Sequence, residues 1–298
     1  MPTEQQISST ERIIMRKLLA AAAFLGAVTA VPASAQFSAN IGAVTDYRFR
    51  GVSQTKNSFA LQGGLDYAHS SGLYIGTWLS TVSKDLYTKG QGLEWDIYGG
   101  WKKEFAKDWT VDLGVLTYMY PSAQFYTAAP PAGNGTKYTN TEVYAGLSYK
   151  WLSAKYYYST SNYFGASSSA YNGTGLCPVN SNFTAIAGAA CFGVGNGISS
   201  KGSSYLDLTA NYEFMPKWTL NAHLGILKVK NFGGLDANDY KIGVTYDAGW
   251  ASISAAVIGT TAKAEFYRYA PQSTWVAGGG STTDPTRTTV QLGILKTF

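Results

Sequence analysis

From residue 36 onward, apolar and polar positions alternate with a period of two in about twelve runs, each bounded by clusters of Gly, Pro, Asn and Ser. A period of two is the signature of a half-buried β-strand, because successive side chains leave opposite faces. The runs fall near 37–50, 59–69, 72–83, 93–105, 109–120, 139–151, 152–164, 203–215, 218–230, 239–248, 250–262 and 288–298. The eighth is the plainest: Leu206, Leu208, Ala210, Tyr212 and Phe214 share one face, and Asp207, Thr209, Asn211 and Glu213 share the other. The ninth repeats it, with Leu220, Ala222, Leu224 and Ile226 set against Asn221, His223 and Gly225. An even number of such strands suits a closed antiparallel barrel.

Alternation alone also fits a soluble sandwich, so the connections matter. Short turns sit at Ser70-Ser71, Ala106 to Asp108, Lys150 to Ser153, Met215 to Lys217 and Asp247 to Gly249. Between them lie longer links near 51–58, 84–92, 121–138, 165–202, 231–238 and 263–287. Strict alternation of short and long links is the habit of a transmembrane barrel, with short turns on the periplasmic rim and longer extracellular loops. Trp109, Trp151, Trp218 and Trp250 each flank or sit in a different short turn, as expected of an interfacial girdle. After residue 35, Pro121, Pro130, Pro131, Pro178, Pro271 and Pro285 fall in long links and Pro216 in a short turn, because a closed ladder cannot spare an amide donor. The expected fold is therefore an all-β, closed antiparallel transmembrane barrel of about 12 strands.

The amino end has a different pattern. Arg16-Lys17, the apolar run Leu18 to Val31 and then Ala33-Ser34-Ala35 follow the charged, apolar, small-residue order of a secretory signal peptide, expected over residues 15–35. Residues 1–14 lack signal character and are expected to be an over-extended N-terminus, with one barrel domain over 36–298. No later stretch approaches the roughly 18 apolar residues of a membrane helix.

Composition agrees with a wall of strands: 33 Gly, 22 Tyr and 8 Trp stand beside only 14% charged residues and 2 His. Arg12, Arg16 and Lys17 against Glu4 and Glu11 account for one unit of the formal +5, leaving +4 after residue 35. That small excess forms no Lys/Arg cluster and gives no case for nucleic acid. Cys177 and Cys191 share the link 165–202, where export favours a disulfide over a metal site without nearby His. There is no phosphate-cradling Walker pattern, no metal-binding His pair and no CxxC, so neither cofactor nor metal is expected.

With the apolar faces in lipid, Asp46, Arg48, Arg50, Glu94, Asp96, Glu142, Asp207, His223 and Lys241 turn inward as candidate pore-lining residues. Arg48 and Arg50, high on the first strand, stand level with Glu94, Asp96 and Glu142. Two readings stay open: a constriction whose transverse field orients dipolar solutes, or direct pairs that seal the barrel. An outer-membrane phospholipase is a rival class, yet it needs a Ser-His pair on the outer wall. His223 has inward parity and His69 lies beside a short turn. A closed structural or adhesin barrel working through its long extracellular loops is a third reading.

The chain ends on Phe298, preceded at alternate positions by Lys296, Ile294, Leu292 and Val290. This ending resembles the signal through which outer-membrane proteins engage the barrel-assembly machinery. The run Thr45-Asp46-Tyr47-Arg48-Phe49-Arg50-Gly51-Val52-Ser53-Gln54 resembles the opening signature of the TorF-type porin family. Gln62 to Tyr67, Gly76-Thr77-Trp78, Glu94 to Gly99, Tyr118 to Pro121, Glu142 to Gly146 and Lys296-Thr297-Phe298 resemble that family's blocks in order. The link 165–202 is enlarged beside the family pattern. The resemblance implies a Gram-negative outer-membrane barrel, in contact with outer-membrane lipid, that passes small polar solutes by diffusion.

Overall fold

The computed structural model describes residues 36–84, 86–87, 89–126, 133–168, 197–267 and 284–298. The expected signal peptide and the cysteine pair Cys177/Cys191 lie outside these residues. The chain runs β1 (Gln36–Val44), β2 (Arg48–Phe49), β3 (Val52–Ser53), β4 (Ala60–Ala68), β5 (Leu73–Thr81), β6 (Leu93–Ala106), β7 (Trp109–Met119) and β8 (Gln124–Tyr126). It continues through β9 (Gly133–Lys137), β10 (Asn140–Tyr149), β11 (Leu152–Ser159), β12 (Ser204–Met215), β13 (Trp218–Lys228), β14 (Ala237–Asp247), β15 (Ser252–Thr260) and β16 (Thr289–Thr297). Strands β1, β4–β7 and β10–β16 form one closed antiparallel barrel, twelve strands in all, sealed by pairing of β1 with both β4 and β16. β2 and β3 make a separate small hairpin, as do β8 and β9.

Closure satisfies every edge of the ladder, which is what a β-wall in hydrocarbon demands. The side chains sort accordingly. Leu65, Ile75, Leu224, Ile242 and Val290 are 55–62% exposed on the outside, an apolar surface that water would not tolerate at this extent. The inward positions of the same strands carry Asp66, Tyr74, His223 and Lys241. The wall is that of a transmembrane barrel, and its strand bounds follow the alternation in the sequence to within a few residues. Each short turn that joins strands takes one left-handed residue: Gly72, Asp108, Lys150, Lys217 and Gly249. Trp109, Trp151 and Trp250 stand exposed on the outer wall beside these turns, and Trp218 is half-buried there. At the other end of the chain, Phe298 is 71% exposed and its amide bonds to the Ala39 carbonyl, tying the last residue to β1.

The first strand departs from expectation. The alternation predicts a strand over 37–50, whereas β1 ends at Val44 and residues 45–55 turn into the barrel. Tyr47, Arg48, Arg50, Val52, Ser53, Gln54 and Thr55 are all buried. The cause is local and tertiary together: Arg50 and Gly51 adopt consecutive left-handed conformations (φ 48° and 78°) that reverse the chain, and the charged side chains find partners inside.

Candidate functional site

The inward hairpin crosses the lumen. On one side, Tyr47 packs edge-on against Trp78 of β5, and its hydroxyl donates to Glu94 Oε1 of β6 at 3.1 Å. At the tip, Gly51 lies against β14 and β15 so closely that an added Cβ would stand 2.6 Å from Thr260 Cβ and 2.8 Å from Asp239 Cβ. Arg50 reaches β10, where its Nη2 meets Glu142 Oε2 at 2.7 Å. Its guanidinium also stacks over Tyr205 (4.1 Å), Phe49 (4.8 Å) and Tyr163 (5.4 Å), contacts that compensate part of the loss of water around a buried cation.

The base of the hairpin is closed by Asp46 and Arg48. Arg48 Nε meets Asp46 Oδ2 at 2.7 Å, while its Nη atoms donate to the carbonyls of Gly51 and Arg287 and to Asn57 Oδ1. Asp46 also accepts from Ser53 Oγ (2.6 Å) and Thr55 Oγ1 (3.1 Å), which staples the two arms of the hairpin together. Gln291 of β16 donates to the Asp46 carbonyl at 2.6 Å and moors the unit to the wall.

Of the expected pore-lining residues, Asp46, Arg48 and Arg50 therefore sit on the hairpin and not on a wall strand. Glu94 and Asp96 (β6) and Glu142 (β10) project from the wall toward it, fully buried. Of the two arrangements left open by the sequence, facing charges and direct pairs, the structure has direct pairs of Arg48 with Asp46 and of Arg50 with Glu142. Among the described residues Glu94 and Asp96 meet no arginine. The hairpin folds inward, and that inward turn is what makes direct contact possible.

Asp207, His223 and Lys241 form a second group lower in the lumen. His223 Nε2 lies 2.8 Å from Asp239 Oδ1, and Nδ1 lies 3.4 Å from Asp207 Oδ1. Tyr205 donates to Asp239 Oδ2 at 3.0 Å, and Lys241 is the cross-strand neighbour of His223. Among the described residues the hydroxyls that reach His223 belong to Tyr205 and Thr209 and to no serine. Among the described residues the one Ser-His side-chain contact is His69 Nδ1 with Ser71 Oγ at 2.9 Å, a local brace two residues apart in an exposed short turn. A third group joins Lys155 to Asp112 at 2.7 Å, with Tyr74 donating to the same carboxylate at 2.6 Å.

Sequence reasoning missed Asp239 and Tyr205, although each shares inward parity with a residue it found, Lys241 and Asp207 respectively. It also missed the packing of tyrosine on glycine. The hydroxyl end of Tyr205 lies over Gly225 beside Asp239, leaving no room there for a Cβ. Among the described residues no three His, Cys, Asp or Glu side chains converge as a metal site.

A family model described as "Bacterial protein of unknown function (Gcw_chp)" matches residues 29–284. No curated protein matches the chain. Among solved structures it is similar to the KdgM porin, at 9% identity and a TM-score of 0.46 over 88% of this chain and 99% of that one. It is similar to the KdgM porin in complex with disordered oligogalacturonate at 9% identity and a TM-score of 0.43, over 88% and 99%. The COG4313 outer membrane channel from Pseudomonas putida F1 is similar at 11% identity and a TM-score of 0.42, over 93% and 100%.

Proposed function

The chain belongs to the Gcw_chp family of bacterial proteins of unknown function, and we propose that it is a TorF-type porin-like channel through which small polar solutes diffuse passively. It resides in the bacterial outer membrane as a closed barrel. One observation carries the proposal: an apolar outer wall encloses a polar, charged lumen that is narrowed by a hairpin folded in from the first extracellular link. A lumen built only for stability has no use for so many ionised groups, since each must be compensated for lost water. A water-filled path gives them a role. The TorF-type signature at 45–54 coincides with the hairpin, which supports reading that signature as the constriction.

The test is swelling of liposomes that contain the pure protein in a panel of small neutral, anionic and cationic solutes. Faster swelling in small hydrophilic solutes than in empty liposomes is the expected result. The direct contact of Arg50 with Glu142 favours one other reading, a barrel sealed by its hairpin and acting through its outer loops. Swelling no faster than in empty liposomes, together with binding of a surface partner that is lost on deleting an outer loop, would establish that reading instead.

A further inference from the structure

Both arginines of the hairpin are already committed to acids. Arg48 lies on Asp46 and Arg50 on Glu142, and all four side chains are at most 5% exposed. Glu94 and Asp96 have no such cation among the described residues. They project from alternate positions of β6 onto the same inward face and are 0% and 1% exposed. Glu94 Oε1 receives the Tyr47 hydroxyl, but Glu94 Oε2 and Asp96 Oδ1 are without a hydrogen-bond partner. The buried hydroxyl of Tyr120, just past the β6–β7 register pair Trp95 and Met119, lies beside Glu94.

Buried on one face of one strand, these two carboxylates do not both ionise, so in alkaline buffer the constriction carries one negative charge more than its cations answer. A buried charge is screened less than a surface one, so its field extends into the lumen around the hairpin. There it concentrates cations and repels anions. The lower lumen, by contrast, sets its acids against cations, Asp207 and Asp239 against His223 and Asp112 against Lys155, so the excess lies at the constriction. The formal charge of the whole chain, +5, points in the opposite direction, so the sign of selectivity separates the local field from the overall charge.

We propose that the channel prefers cations, and that Glu94 and Asp96 set this preference; its solutes are then small, hydrophilic and positively charged, such as alkali ions and short amines. This rests on the channel reading above. The test is the reversal potential of single channels in planar bilayers under a potassium chloride gradient, in mildly alkaline buffer. The proteins compared are wild type, Glu94→Gln/Asp96→Asn, and Asp236→Asn as a control on the outer rim. Wild type is expected to show a cation-directed potential. The double variant should lose about fivefold in cation-to-anion permeability ratio, roughly what one unit charge a few ångströms from an ion is worth in water, and the control should match wild type. If the double variant does not fold, as judged by heat-modifiable migration on gels, Glu94→Gln alone retains the Tyr47 contact and is expected to lose part of the ratio. A zero or anion-directed potential across a conducting wild-type channel overturns the inference and leaves the channel standing. Unchanged ratios in folded variants overturn the role of Glu94 and Asp96. Absence of conductance steps in every protein overturns both the inference and the channel.

Discussion

Arg50 and Glu142 lie 92 residues apart in sequence and meet at 2.7 Å across the lumen, one at the tip of a hairpin and the other on the far wall. Glu142 is held from behind by the Ser159 hydroxyl at 3.2 Å, so the wall presents a fixed acceptor and the hairpin brings the cation to it. The contact holds the hairpin across the barrel together with Tyr47 on Glu94 and Gln291 on the Asp46 carbonyl.

Removing one partner is therefore expected to cost more than removing both. Arg50→Ala leaves Glu142 buried without a cation, a loss of about 3–5 kcal/mol in unfolding free energy. Arg50→Ala/Glu142→Ala should recover part of it, since no isolated charge remains. Urea unfolding in vesicles supplies the cycle, and single-channel conductance should rise in both variants. Additive losses would mean that the two side chains do not depend on each other.

Gly51 offers a separate handle on the hairpin. Its φ of 78° already disfavours a side chain, and the tip has no space for a Cβ between Thr260 and Asp239. Gly51→Ala should displace the tip, costing about 1–3 kcal/mol and enlarging the conductance. Gly249 in a short turn has a similar φ of 84° but open space around it. Gly249→Ala then costs about 1 kcal/mol with conductance unchanged. Equal conductance in the two variants would refute docking of the tip.

The twelve wall strands were legible because a closed barrel in lipid leaves every strand with one apolar face, and Leu206 to Phe214 shows this without help from tertiary structure. The hairpin was not legible for the same reason. Asp46, Arg48 and Arg50 keep the parity of a continuing strand, so alternation runs on past Val44 where the chain turns inward. What reverses it is a pair of left-handed residues at 50 and 51, one of them an arginine whose conformation is fixed by distant Glu142. Parity found the right face for Glu94, Asp96 and Glu142, but which acid takes which arginine depends on the path of the hairpin. Asp239 and Tyr205 carried a readable signal in their shared parity with Lys241 and Asp207.

The two faces of the wall should respond oppositely to a new charge. Ile242 is 55% exposed near the middle of β14, and Ser254 is half-buried on the inward face of neighbouring β15. Ile242→Arg puts a guanidinium into hydrocarbon, at a cost of about 2–4 kcal/mol, while Ser254→Lys adds a lumen charge that alters ion preference more than stability. Folding equilibria in lipid vesicles measure the first effect and reversal potentials the second. Should Ile242→Arg be tolerated as easily as Ser254→Lys, that face is not in contact with lipid.

The hairpin's surroundings also predict an alkaline limit to stability. Tyr163 lies in the link after β11, buried against Arg50, and burial pushes its hydroxyl up to about 12, against the opposing pull of the guanidinium. Tyr47 and Tyr120, also outside the wall strands, are raised by burial too, and nearby Glu94 adds to the effect in both. The folded protein then holds these phenolic protons more tightly than the unfolded chain, whose tyrosines titrate near 10. The stability linked to Tyr163 is therefore complete below about pH 10 and is lost as pH rises from about 10 through 12. Tyrosinate absorbance should show a late-ionising class whose appearance coincides with loss of heat-modifiable migration. In Tyr163→Phe that class should shrink, and the fall in stability between those pH values should become shallower, because one group no longer has to ionise inside the barrel. Ionisation of every tyrosine near 10 in a protein that stays folded would show that water reaches these rings, and that the hairpin does not pack against them.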